Sequence, residues 1–138
     1  LSPASRLVAT AREVPVLCAT TEAAPAPRLE TLERAGVEPL VLPADAEGRV
    51  AMAALMQELG RRRMTNVLLE GGGEVFASAL AAGLVDKLLV FVAPRLIGGR
   101  DAPSPVAGRG VARVAEALAA RDLTTRRLGE DLLLEAWL

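Results

Sequence analysis

Val67-Leu68-Leu69-Glu70-Gly71-Gly72-Gly73-Glu74-Val75-Phe76 runs from an apolar stretch through three consecutive glycines straight into a helical pattern. It reads as a buried strand, Thr65 to Leu69, turning into a helix that carries Phe76, Ala79 and Leu80 on its apolar side and ends at Gly83. A strand entering a helix this way offers unpaired N–H groups and the positive end of the helix dipole to an anion, and the missing Cβ atoms let a phosphate approach the backbone. Three glycines in a row are costly in conformational entropy, more than a simple turn requires. Two readings stay open from the residues alone: an anion site and a tight structural turn. The run is not a P-loop, since no Gly-Lys-Ser/Thr follows. It also departs from G-x-G-x-x-G, because Phe76 stands at the third glycine position.

Glu70 closes the predicted strand at its carboxyl end, the edge at which open α/β sheets bind ligands. A carboxylate is a poor phosphate ligand, so Glu70 suits hydroxyl or amine donors of a ligand, or else nearby N–H groups of the chain. Glu74 in the first helical turn complements the dipole.

Working outward, short apolar runs alternate with helical patterns, the signature of βαβ units around a largely parallel sheet. Ser2 as N-cap and Pro3 open a short helix or turn to Ala11, and Pro15 to Thr20 reads as a strand. Pro25 to Ala35 reads as a helix closed by Gly36, and Glu38 to Leu42 as a second strand. Met52, Leu55, Met56 and Leu59 form a core-facing helical stripe that Gly60 ends, and Arg61-Arg62-Arg63 follow on a solvated corner, with phosphate binding as the sharper alternative. Asp86 to Ala93 is a long apolar strand. Pro94 to Gly110, with Arg95, Arg100 and Arg109, is a loop, either a solvated connection or functional. Val111 to Ala120 reads as a helix, and Asp122 to Leu128 with Asp131 to Leu138 as a hairpin turning at Gly129-Glu130 in type II′ geometry.

The 138 residues suffice for one domain, and 51% hydrophobic content supplies a core. Sixteen basic against seventeen acidic residues argue against nucleic-acid or polybasic membrane binding. The absence of histidine removes Ser-His triads and nearly every imidazole metal site. Cys18, alone and in an apolar run, reads as a buried structural thiol and suits a reducing, cytoplasmic compartment. No metal site, catalytic acid or catalytic base is assigned.

The run Leu69 to Gly73 with Phe76 and Leu80, then Gly83-Leu84-Val85-Asp86-Lys87-Leu88, Ala93-Pro94-Arg95-Leu96-Ile97-Gly98-Gly99 and the closing Leu128 to Leu134, resembles the reductase domain of the riboflavin-biosynthesis deaminase/reductase family. The resemblance spans most of residues 15 to 138. It implies a dihydrofolate-reductase-like α/β fold: a mixed sheet, mostly parallel, with a C-terminal antiparallel hairpin and flanking helices. It also implies an NADPH-dependent enzyme that reduces the ribosyl group of 5-amino-6-(5-phosphoribosylamino)uracil to ribityl. Gly71, Gly72, Gly73, Glu74, Val75, Phe76 and Ala77 match the family's pyrophosphate turn, Glu70 its substrate-contacting acid, and Thr20 and Thr21 the pair that meets the adenosine side of the cofactor and its 2′-phosphate. Family members carry further strands upstream of a segment like Leu1 to Ala11, and an amino-terminal zinc deaminase domain. Residues 1–138 are therefore expected to be a single partial domain lacking its N-terminal strands, in a homo-oligomer, with Leu1 not a native start. The competing expectations are a non-catalytic nucleotide-binding or dimerisation module and a related pterin or pyrimidine reductase.

Overall fold

Four residues in extended conformation cannot stand alone, and Leu17–Thr20 (β1) finds its partner one helix further on. The computed structural model describes all 138 residues, which divide into two compact units, Leu1–Asn66 and Val67–Leu138.

In the first unit a four-residue helix α1 (Arg6–Ala9) precedes β1; helix α2 (Ala26–Arg34) then leads to β2 (Glu38–Val41), which pairs parallel with β1 from Leu17 opposite Glu38 to Thr20 opposite Val41. Val8, Ala11, Leu32 and Val37 form the core, with Val16, Cys18 and Ala35 packed against it. Cys18 packs against this core but is only half-buried, where a fully buried thiol was expected. Helix α2 ends in a Schellman motif: Gly36 N–H donates to Glu33 C=O (2.9 Å) and Val37 N–H to Leu32 C=O (3.0 Å). The N-cap of α1 is Ser5 rather than Ser2, because Ser2 is spent on a preceding turn, its Oγ and C=O accepting from Ala4 and Ser5 N–H.

Helix α3 (Met52–Arg61) runs through Gly60 instead of stopping there. Arg63 takes the left-handed position (φ 62°), and Arg63 and Met64 N–H close the helix on Gly60 and Leu59 C=O at 2.9 and 3.0 Å. The Met52, Leu55, Met56, Leu59 stripe is half-buried, and α3 has no fully buried residue, so it is less of a core element than its period suggests.

Residues 65–69 are not a strand: they join no ladder, and Val67 and Leu68, with which the second unit begins, are 43% and 70% exposed. The expected buried strand over Thr65 to Leu69 is therefore corrected. A β-strand exists only through a neighbour's N–H and C=O groups, and none lies alongside this segment. Helix α4 (Gly73–Ala81) follows and ends on Gly83 in the expected place. β3 (Lys87–Val92), β4 (Arg121–Leu128) and β5 (Asp131–Trp137) make an antiparallel sheet in the order β3-β5-β4. Central β5 buries Leu133 and Ala136, whereas β4, rich in Arg and Thr, is an exposed edge. The hairpin turns as expected: Gly129 has φ 62° and Glu130 does not have positive φ, the type II′ pattern. One extra residue in β4 between Arg121 and Thr124 makes a bulge, with Asp122 at φ 52°. Glu135 on β5 is paired with Lys87 (2.7 Å) and Arg126 (3.4 Å), and the Lys87 ammonium, hydrogen-bonded to it, holds its carboxyl below the ordinary value.

The helix expected over 111–120 is only a 3₁₀ turn at Val114–Glu116. All ten of those residues are exposed, so no apolar face is buried to stabilise a helix of that length. Instead of one mostly parallel mixed sheet, the parallel pair β1–β2 and the antiparallel β3-β5-β4 are two separate sheets, one in each unit, because no ladder joins them through residues 65–69. No helix is long and apolar enough to cross a membrane.

Candidate functional site

Gly72 is the N-cap of α4, with φ 67° and ψ 125°, a conformation that strains any L side chain. From there the N–H groups of Val75 and Phe76 both donate to Gly72 C=O, at 3.0 and 3.2 Å. No side chain caps the helix. The backbone N–H groups of Gly71, Gly72 and Gly73 have no backbone acceptor, so they are the donors available to an incoming anion.

The three glycines divide by cause. Gly72 is required by its dihedral. Gly73 is required by close approach, since a Cβ there would lie 3.0 Å from Ala107 N and 3.1 Å from Ser104 O. Gly71 has neither constraint, as a Cβ would meet nothing within 4 Å. The structural-turn reading accounts for two glycines and leaves Gly71, whose bare backbone faces open space.

The expected list Gly71 to Ala77 thus separates. Val75 and Phe76 N–H are consumed inside the helix, which removes them as anion donors. Ala77 serves as a wall: a Cβ on Gly108 would stand 2.8 Å from its own Cβ. Glu74 lies in the exposed first turn, where its charge complements the dipole. Glu70 is exposed and makes no hydrogen bond or ion pair, so it does not serve the chain's own N–H groups.

Sequence reasoning missed the role of the loop. Ala107 N–H donates to Gly73 C=O at 3.1 Å, and residues 104–108 lie against Gly73 and Ala77, one helical turn apart on one face of α4. The signal was present in the small residues: Gly73 and Ala77 at i, i+4, and Ala107-Gly108 in the loop. Arg95, Arg100 and Arg109 on that loop form no ion pair.

In the first unit, Thr20 and Thr21 are half-buried at the carboxyl end of β1 but are not brought to one place. Thr21 lines a cleft of about 450 Å³ with Glu22, Ala23, Val41 and Pro43, at the carboxyl ends of β1 and β2. Thr20 instead lines a smaller cleft of about 230 Å³ with Cys18, Arg28 and Leu32. Successive strand residues point to opposite faces, which a pairing by adjacency in sequence overlooks. Two of the three arginines are committed to structure: Arg62 bonds Glu38 (2.7 Å) and Glu58 (2.8 Å), and Arg61 also pairs with Glu58. The hydrogen bond from Arg62 holds both carboxyls below their ordinary value, and theirs raise that of Arg62. No group of three or more His, Cys, Asp or Glu side chains is placed to hold a metal.

A parallel βαβ unit, an antiparallel sheet closed by a C-terminal hairpin, and a glycine turn at a helix start are elements of the dihydrofolate-reductase-like α/β fold. The chain belongs to the RibD C-terminal domain family, whose profile matches residues 1–134. It is 35% identical over 130 residues to the riboflavin biosynthesis protein RibD of Actinobacillus pleuropneumoniae, covering 94% of this chain and 34% of that protein. It is 35% identical over 123 residues to the 2,5-diamino-6-ribosylamino-4(3H)-pyrimidinone 5′-phosphate reductase of Methanothermobacter thermautotrophicus, covering 89% of this chain and 55% of that one. Acinetobacter baumannii RibD superposes with a TM-score of 0.77 over 99% of this chain and 34% of its own, at 22% identity. The chain spans about a third of the length of the first curated relatives it matches.

Proposed function

We propose that this chain is the cofactor-binding part of an NADPH-dependent reductase of riboflavin biosynthesis. Its substrate would be a ribosylamino-pyrimidine 5′-phosphate of the type of 5-amino-6-(5-phosphoribosylamino)uracil, whose ribosyl group is reduced to ribityl. The observation that carries this reading is the Gly71–Gly73 turn: backbone donors without acceptors, and at Gly71 a bare backbone that nothing in the fold requires, in a chain of the RibD C-terminal domain family. These residues fit a dinucleotide pyrophosphate, which needs close approach and several N–H donors at a helix start.

When bound, the nicotinamide would supply the hydride for reduction of the substrate's ribosyl group at C1′. The chain's own residues bind and orient. Gly71, Gly72 and Gly73 hold phosphate oxygens through N–H, and Glu70, unpartnered at the same turn, accepts from substrate hydroxyl or amine donors. The pinned 104–108 loop keeps the start of α4 rigid.

In this reading residues 1–138 are part of one reductase domain whose sheet is completed by further strands. Support comes from the apolar 67–69 segment, which has the composition of a strand and no ladder partner, and from β3, where Val90, Phe91 and Val92 are at least 45% exposed. The greater length of the relatives accords with a neighbouring deaminase domain, and the fully exposed Leu96 with an interface between copies of the chain. A cytoplasmic setting goes with this reading.

Replacing Glu70 by Gln tests the division of labour. NADPH affinity should stay within about twofold while turnover of the pyrimidine substrate falls on the order of tenfold or more. Loss of NADPH binding with intact substrate binding would reverse the assignment.

A further inference from the structure

The loop that follows β3 is seated at one end and bare at the other. Residues 104–108 are seated: Ala107 N–H donates to Gly73 C=O at 3.1 Å, and Gly108 is crowded by Ala77. Residues 94–103 are all exposed, and their hydrogen bonds only close local turns, Arg95 N–H on Ala93 C=O at 2.8 Å and Ala102 N–H on Gly99 C=O at 3.4 Å. Gly98 and Gly99 have φ of 68° and 94°, with open space where a Cβ would stand. This bare half carries an apolar tip: Leu96 is fully exposed and Ile97 is 89% exposed. Two adjacent large aliphatic side chains held in water are a cost that a covering surface would remove.

The tethers of the loop decide which surface that is. At one end β3 is held in its ladder as far as Val92, opposite Leu132, and at the other Ser104 and Ala107 are held against Gly73, next to Gly71 and Gly72 in the chain. Ile97 is seven residues from Ser104, a reach of about 20 Å at most, so the tip can meet the glycine turn with both anchors in place. We propose that residues 94–103 are a lid, hinged at Gly98-Gly99, that closes Leu96 and Ile97 over a ligand held at Gly71–Gly73. Closure buries the tip and excludes water from the ligand, as lids over reacting groups do. This rests on the cofactor reading above and adds a conformational step to it.

The test is limited trypsin cleavage of the full chain, with the Arg95–Leu96 bond followed by fragment mass and NADPH binding followed in parallel by nicotinamide fluorescence. Arg109–Gly110, beyond the seated residues, is the reference bond. Saturating NADPH should slow cleavage at Arg95–Leu96 about fivefold or more relative to Arg109–Gly110, because cleavage tracks the population of the open loop. In the Leu96→Ser, Ile97→Ser double variant, whose sites are exposed and whose melting temperature should match the parent's, that protection should shrink to within about twofold. NADPH that binds the parent and leaves Arg95–Leu96 as accessible as before would overturn the lid while leaving the cofactor reading standing. Protection that grows with protein concentration and needs no NADPH would overturn it too, since the tip would then sit on a second copy of the chain. If NADPH does not bind the parent at all, the cofactor reading fails and the lid with it.

Discussion

Two segments of this chain offer an anion something in the sequence, Arg61-Arg62-Arg63 its charge and Gly71-Gly72-Gly73 its backbone, and the structure treats them in opposite ways. At the arginine corner the central guanidinium is spent on Glu38 and Glu58, tying the end of α3 to the start of β2, and Arg63 closes the helix in the left-handed position. At the glycine turn there is no formal positive charge, yet three N–H groups lack a backbone acceptor and the approach at Gly71 is open. An anion site is defined by which donors remain unpaired, and the number of charges nearby is a poor guide to it. The cationic corner is engaged in the fold through Arg62, and the uncharged turn is the one with backbone donors left over.

Substitutions can break this contrast, starting with the largest effect. Gly73→Leu would drive a Cβ onto backbone atoms of Ala107 and Ser104, which cannot yield as a flexible side-chain tip would. Overpacking of this kind costs about 1 to 3 kcal/mol, read as a lower melting temperature. An undiminished melting temperature would show that the 104–108 loop is not seated on α4.

A smaller effect is expected at the arginine corner. Glu38 and Glu58 have folded pKa values below the ordinary 4.5 because Arg62 hydrogen-bonds their charged forms. Their contribution to stability is therefore full above pH 4.5 and is lost as the pH falls through the lowered values. Arg62→Ala should lower the melting temperature modestly at pH 7, and the gap to the parent should close in acid. A gap that is the same at pH 7 and at pH 3 would mean the ion pairs are not its source.

The same contrast explains what was legible beforehand. β1, α2, β2, α4, β3 and the hairpin announce themselves through local signals: short β-rich runs, Gly36 and Gly83 beyond helix ends, Gly129 at a turn needing positive φ. Thr65 to Leu69 carries the same apolar signal and forms no ladder, because pairing depends on a neighbour that residue pattern cannot supply. Residues 111 to 120 have good helix formers and no surface to bury them against. The glycine turn stood out in the sequence, but the separate reasons for its three glycines did not. Gly73 answers to a loop thirty-odd residues away in sequence. The separation of Thr20 from Thr21 follows from strand alternation, a geometric fact that adjacency in sequence conceals.

The central claim is that the Gly71–Gly73 backbone holds the cofactor's pyrophosphate, and NADPH affinity of Gly71→Val beside Arg62→Ala tests it most directly. Position 71 has normal dihedral sign and open space, so a valine there leaves the fold intact and obstructs only the approach. Gly71→Val should lose about tenfold or more in NADPH affinity, at least about 1.4 kcal/mol, at an unchanged melting temperature. Arg62→Ala should bind NADPH like the parent. Full affinity in Gly71→Val, or its loss in Arg62→Ala alone, would contradict the account and move the anion site to the arginine corner.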